Sequence, residues 1–162
     1  MENSKITAKK LYHWSEEDTN SLCSYYCHNN HAVELKWRDK SQAYYRIQLS
    51  DKCKGNTLQF DLVDLLEKDK KNLETLNMTI VISDQYGRTK EYDLCDYQVI
   101  YPPLIVKLNK LDYLFGKGDI KHCFQTVSIP LDDVGTEIAE IEFRFNKNEK
   151  GHIMLDNIGV SE

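Results

Sequence analysis

The stretch "IAEIEFRF" (138–145) alternates apolar and polar side chains. Ile141, Phe143 and Phe145 fall on one side, and Glu140, Glu142 and Arg144 on the other. Successive side chains of an extended chain point to opposite faces, so this period of two marks a strand with one wet face. The same period recurs from residue 32 onward. "AVELKW" (32–37) puts Val33, Leu35 and Trp37 together. "YYRIQL" (44–49) turns Tyr45, Ile47 and Leu49 inward and Tyr44, Arg46 and Gln48 outward. "TLQFDL" (57–62) turns Leu58, Phe60 and Leu62 inward and Gln59 and Asp61 outward.

Turn residues separate these runs. "LNMTIVIS" (76–83) and "RTKEYDL" (88–94) flank "DQYG", a hairpin signal in which Gly87 can supply a positive φ. "FQTVSIP" stops at Pro130, which has no amide hydrogen for a ladder. "NKNEKG" (146–151) turns the chain into "HIMLDNIGV" (152–160), where Asp156 and Asn157 sit side by side in an otherwise alternating strand. Strict alternation leaves Asn157 on the face of Leu155 unless a bulge re-aims it.

Helix signals are sparse. "DLVDLLEKDKKN" (61–72) is compatible with one or two turns, and residues 15–31 and 107–121 read as loops. Many short strands with few helices predict an all-β fold, an antiparallel β-sandwich jelly roll with at most short helices. The length of 162 residues suits one domain over 1–162: an N-terminal strand and loop over 1–31, and a sandwich body over 32–160.

A net charge of -5 with interleaved lysines and acids argues against nucleic acid as a partner. No stretch is long and apolar enough to span a bilayer, so no membrane partner is expected either. The start lacks the apolar core of a signal peptide. The expected location is extracellular if the chain is a fragment of a secreted protein, and cytoplasmic otherwise. Five cysteines without a framework spacing argue against a disulfide-stapled module.

Catalytic signatures are missing from the sequence: no G-x-S-x-G elbow, no glycine loop for phosphate and no H-E-x-x-H pair. The chain is therefore not expected to be an enzyme by itself. "CSYYCHNNH" is the sharpest local cluster, since Cys23, Cys27 and His31 are four apart and His28 adds a fourth zinc-type ligand. It reads either as a zinc site or, more simply, as a loop with incidental thiols. The sequon "NMT" (77–79) falls inside a predicted strand and reads as accidental. His13, His122 and His152 read as satisfied or exposed residues, and Trp37 as core.

The outward strand faces carry more information. Tyr44, Arg46, Gln48, Gln59, Glu142 and Arg144 mix planar and long polar groups, which suits stacking on sugar CH groups and hydrogen bonding to hydroxyls. The competing reading is a solvated face with cross-strand ion pairs. Trp14, where the first strand runs into a loop, reads as a binding aromatic or a plug over the sandwich end.

The run "FQTVSIPLDDV" followed by "IAEIEFRFNKNEKGHIMLDNIGV" resembles the closing strands of carbohydrate-binding jelly rolls of the galactose-binding-like class. It is more closely similar to the accessory β-sandwich that follows the catalytic domain in some bacterial α/β-hydrolase or esterase proteins. With "AVELKW", "AYYRIQL" and "TLQFDL", the resemblance covers residues 32–160. It implies a non-catalytic carbohydrate-binding module that targets a larger hydrolase to polysaccharide, with Tyr44, Arg46, Gln48, Glu142, Arg144 and Trp14 as contacts. The alternative is a structural domain that packs on a hydrolase and binds no sugar. The resemblance also implies a structural calcium. Asp156 matches the position of one ligand, with Asp18 and Glu17 as partners from the N-terminal segment, because carboxylates and carbonyls suit a hard cation.

Overall fold

The computed structural model describes residues 14–19, 23–27, 32–38, 43–66, 74–107, 109–115, 118–131 and 137–161; along 14–19 and 23–27 it gives the path of the backbone. The alternating runs become β3 (Val33–Arg38), β4 (Tyr44–Cys53), β5 (Thr57–Asp64), β6 (Thr79–Asp84), β7 (Thr89–Asp93), β10 (Gln125–Pro130), β11 (Ile138–Arg144) and β12 (Lys150–Ser161). Two strands precede them, β1 (Trp14–Thr19) and β2 (Cys23–Cys27). Between β7 and β10 lie β8 (Leu104–Val106), the short helix α1 (Lys110–Phe115) and β9 (Asp119–Lys121).

Two five-stranded antiparallel sheets result, in the orders β1-β4-β11-β6-β7 and β10-β5-β12-β3-β2. The chain passes from one sheet to the other at β3–β4–β5–β6 and again at β10–β11–β12, as a jelly roll requires. The fold is the expected all-β sandwich.

The core is the set of inward residues from both sheets. Leu35, Trp37, Tyr45, Ile47, Phe60, Leu62, Ile80, Ile82, Ile141, Phe143, Ile153 and Leu155 are all buried. Each large apolar side chain removed from water contributes about 1.5–3 kcal/mol before ordering costs. Trp37 stacks on Phe145 at 4.1 Å between ring centroids, and Phe60 meets Phe143 edge-on at 5.3 Å. The Trp37 indole N–H donates to the Asn148 carbonyl at 3.2 Å, so burial leaves its polar atom satisfied.

The hairpin signal around "DQYG" holds. The Gly87 amide donates to the Asp84 carbonyl at 3.0 Å, with Gly87 at φ +77°. The buried Asp84 carboxylate accepts the amides of Tyr86 and Arg88 and, at 2.6 Å, the Arg88 Nε. Burial alone would raise its pKa. The hydrogen bonds from Arg88 and Tyr86 and the Arg88 charge outweigh burial and hold it below the ordinary carboxyl value.

The adjacency of Asp156 and Asn157 has its answer in a bulge. Pairing of β12 with β5 passes from Asp156–Asp61 to Gly159–Gln59, so β12 carries one extra residue. Asn157 takes it up at φ +49°, a conformation that asparagine tolerates better than most residues. The inward phase switches there, from Ile153 and Leu155 to Ile158 and Val160, and Asn157 is left exposed. A comparable shift between Ile138 and Glu140 lets Ile138 and Ile141 both face inward on β11.

Three expectations are corrected. Residues 15–31 are not one loop, because β1 and β2 occupy 14–19 and 23–27. The polar run of β1 and the adjacent tyrosines of β2 hide the period of two. Residues 107–121 contain α1 and β9. The opening of "DLVDLLEKDKKN" is strand, since β5 runs to Asp64; residues 67–73 lie outside the described residues.

Candidate functional site

Pairing in the first sheet brings its outward residues into rows. Glu142 on β11 lies opposite Arg46 on β4 and Val81 on β6, and Arg144 lies opposite Tyr44 and Thr79. Glu142 is the centre of the resulting network. Its Oε2 accepts Arg46 Nε at 2.9 Å and Nη2 at 2.6 Å. Its Oε1 accepts Arg144 Nε at 2.9 Å and faces Nη2 at 2.8 Å. Two guanidinium groups thus clasp one carboxylate, each through a pair of N–H groups, a geometry that lysine cannot supply.

The row extends on both sides. Arg144 Nη1 donates to Glu91 Oε1 on β7 at 2.8 Å. Arg46 Nε lies 3.4 Å from Glu140 Oε1, and Gln48 Nε2 donates to Glu140 Oε2 at 3.4 Å. The Arg46 guanidinium lies over the Tyr44 ring, 4.8 Å from its centroid. The two arginines cover Glu142, whose side chain is only 7% exposed although it is on the outer face. Burial by itself would lower the pKa of both arginines. The hydrogen bond and charge of Glu142, then Glu140 for Arg46 and Glu91 for Arg144, raise it instead. The face is a rail of alternating charge from Glu140 to Glu91, with Gln48 hydrogen-bonded at one end.

Five of the six expected sugar contacts, Tyr44, Arg46, Gln48, Glu142 and Arg144, therefore meet on one surface. The sixth, Trp14, begins β1 with Leu49 as its backbone partner. It starts a strand rather than following one, and its side chain lies outside the described residues. Gln59, grouped with these residues from its sequence, is on the other sheet and donates to Ser128 at 3.1 Å. Glu140 and Glu91 complete the rail. Alternation already marked Glu140 as outward, whereas Glu91 becomes visible only once β7 is known to flank β6.

The expected calcium ligands are spread over both sheets. Glu17 and Asp18 lie on β1 at the edge of the first sheet, and Asp156 on the central β12 of the second. Asp156 accepts the Asn157 amide at 2.8 Å. Its register partner Asp61 accepts from Asn157 Nδ2 at 2.7 Å and from Thr126 Oγ1 at 2.6 Å. Among the described residues no group of three or more His, Cys, Asp and Glu side chains is placed to hold a metal. The side chains of Glu17 and Asp18 lie outside the described residues. Cys23 and Cys27 lie on β2, and His28 and His31 lie outside the described residues.

Asn77 of the sequon is engaged in the fold. Its Oδ1 accepts the amides of Met78 and Cys95, and its amide donates to Asn148. His152 Nε2 contacts Glu34 Oε1 at 2.6 Å, and His122 is exposed; His13 lies outside the described residues.

No protein-family model and no curated protein matches the sequence. Solved structures do match the fold. A point mutant of a carbohydrate binding module of family 29 superposes with a TM-score of 0.53 at 11% identity, covering 91% of this chain and 82% of that one. Two further mutants of a family 29 module, one complexed with cellulohexaose and one with mannohexaose, each give a TM-score of 0.51 at 12% identity. Each covers 91% of this chain, with 81% and 82% of the respective module covered. The chain has the sandwich fold of carbohydrate-binding modules.

Proposed function

We propose that this domain is a non-catalytic carbohydrate-binding module and that the rail on the outer face of its first sheet is the glycan site. The observation that carries the reading is the clasp of Arg46 and Arg144 on Glu142. It fixes a row of planar donors and acceptors across strands, on a sandwich of the fold seen in family 29 modules. Fixed polar groups meet sugar hydroxyls without first losing side-chain freedom. The carboxylates Glu91, Glu140 and Glu142 outnumber the two arginines, which favours a neutral saccharide over a polyanionic one. The complexes of family 29 modules with cellulohexaose and mannohexaose support linear hexose chains as the ligand class. In the same reading the module holds a larger hydrolase near its polysaccharide.

Titration calorimetry with cellohexaose and mannohexaose tests the site. We expect binding by the native domain, at least about tenfold weaker binding after Arg46→Ala or Tyr44→Ala, and no change after Lys36→Ala on the outer face of the opposite sheet. Equal affinity in Arg46→Ala and native protein would exclude this face as the site.

A further inference from the structure

Between β7 and β10 the chain departs from the two sandwich sheets as a lobe. One turn of 3-10 helix, Leu94–Asp96, ends at the exposed Asp96. Tyr97, Val99 and Tyr101 follow as exposed hydrophobics. The Gln125 side chain accepts the Tyr101 amide at 3.0 Å and donates to the Tyr101 carbonyl at 3.2 Å, which brings the exposed Phe124 beside them. These four side chains form the base of the lobe. Beyond the base β8 pairs with β9 alone, from Leu104–Lys121 to Val106–Asp119, and α1 lies in the connection at the far end of that ladder.

The far end is apolar on one side. Leu111, Leu114 and Phe115 stand at i, i+3 and i+4 on α1 and so form one stripe, with Leu114 78% and Phe115 71% exposed. Tyr113 lies on the other side of the helix, under the Lys107 ammonium at 5.1 Å from its ring centroid. All three residues of β9 are exposed as well. A two-stranded ladder is marginal in water unless something packs on it. A single apolar stripe is the pattern of a helix that packs on a protein surface.

Three observations select a second copy of this chain as the cover. First, among the described residues every exposed large hydrophobic except Tyr86 belongs to this segment, so the apolar surface that one copy offers another is the lobe itself. Two equal patches that cover each other define a two-fold interface. Second, the area suffices. At these exposures each side chain of the stripe and base still shows on the order of 100 Å². Together with the polar atoms around them they reach roughly the 800 Å² per partner of a stable interface. Third, the charges match. Asp96 at the base and Lys110, which opens α1 at the far end, are both exposed. Lobes laid antiparallel about a two-fold axis set the stripe of each copy on the base of the other. They also bring Lys110 to the partner's Asp96 twice, since a contact from i to j implies one from j to i. The pair Asp119–Lys121, at 3.6 Å, is closed within one copy and sets no net charge against its counterpart.

We propose that this chain forms a two-fold dimer through antiparallel lobes, with Leu111, Leu114 and Phe115 of each copy on the base of the other and Lys110 opposite Asp96. None of these contacts is a residue of the rail, so the dimer stands apart from the glycan reading.

The test is sedimentation velocity of the whole chain between about 1 and about 100 μM. The native chain should sediment as a dimer at the upper end of that range. Leu114→Asp/Phe115→Asp should raise the dimer Kd at least about a hundredfold. It should keep the native circular dichroism, because both side chains are exposed in a single copy. Lys110→Glu and Asp96→Lys should each weaken the dimer about tenfold by setting like charges opposite each other at two places. The double variant Lys110→Glu/Asp96→Lys should regain the native association. A native chain that stays monomeric at about 100 μM would overturn the proposal and leave the lobe to a different partner. So would a dimer that Leu114→Asp/Phe115→Asp leaves intact, since association would then use another surface. Failure of the double charge reversal to restore the dimer would overturn the antiparallel arrangement.

Discussion

Gly151 faces Trp37 across the β12–β3 ladder, and a Cβ at Gly151 would lie 2.0 Å from the indole Cζ2. The missing side chain is what lets the indole lie flat against Phe145. Gly151→Ala should therefore destabilise the domain by overpacking, by about 1–3 kcal/mol. Urea denaturation monitored by tryptophan fluorescence reads the effect. A midpoint equal to the native one would show that the indole has room to move.

Glu142 gives a second prediction. Glu142→Ala leaves two half-buried guanidinium groups facing each other, and a loss of about 1–3 kcal/mol is expected, discounted for the exposure of both arginines. The double variant with Arg46→Ala should lose less than the two single losses combined, with a coupling of about 1 kcal/mol. Additive losses in this cycle would mean that the rail is not one unit.

The pH dependence has a definite sign. The Asp84 pKa is lower in the folded chain than its ordinary value of about 3.9, so the unfolded chain binds more protons. The contribution of Asp84 is complete above that ordinary value and is lost as pH falls through the depressed folded value. Asp84→Asn should reduce stability near pH 7 and shrink the acid-side decline. Urea midpoints at about pH 7 and about pH 3 check this: the gap between native and variant protein should narrow toward the acid end.

Asn157 at φ +49° gives a fourth prediction. Asn157→Gly keeps the conformation at little cost, whereas Asn157→Val strains the backbone, with a loss of about 1–3 kcal/mol. Either change also removes the hydrogen bond to Asp61. Thermal unfolding of the pair separates the backbone effect from the side-chain effect: similar midpoints would mean that the bulge stores no strain.

Much of the sandwich was legible because burial on one face writes itself as a period of two, as in Tyr45/Ile47 and Ile141/Phe143. The outward residues were legible for the same reason. Which of them meet was not, because sheet neighbours are set by crossovers distant in sequence. Gln59 was grouped with Arg46 and lies on the opposite sheet, while Glu91 joined the rail through β6. The phase switch at Asn157 left a trace in the spacing of Leu155 and Ile158, but only the register identifies it as a bulge. The sequence suggests an N-terminal strand that ends near Trp14, whereas β1 begins there and β2 follows; "WSEEDT" and "CSYYC" show no clean alternation, and their strand state comes from pairing with β4 and β3.

The bonds between the Gln125 side chain and the Tyr101 backbone make the segment between them, which holds β8, α1 and β9, a cassette. Its two ends are held side by side by the hydrogen bonds of one side chain. Replacing the intervening segment with a few glycines closes a shorter loop at little entropic cost. The same pair of anchor points is a natural port for inserting a foreign peptide or reporter while leaving the charged rail of the first sheet in place.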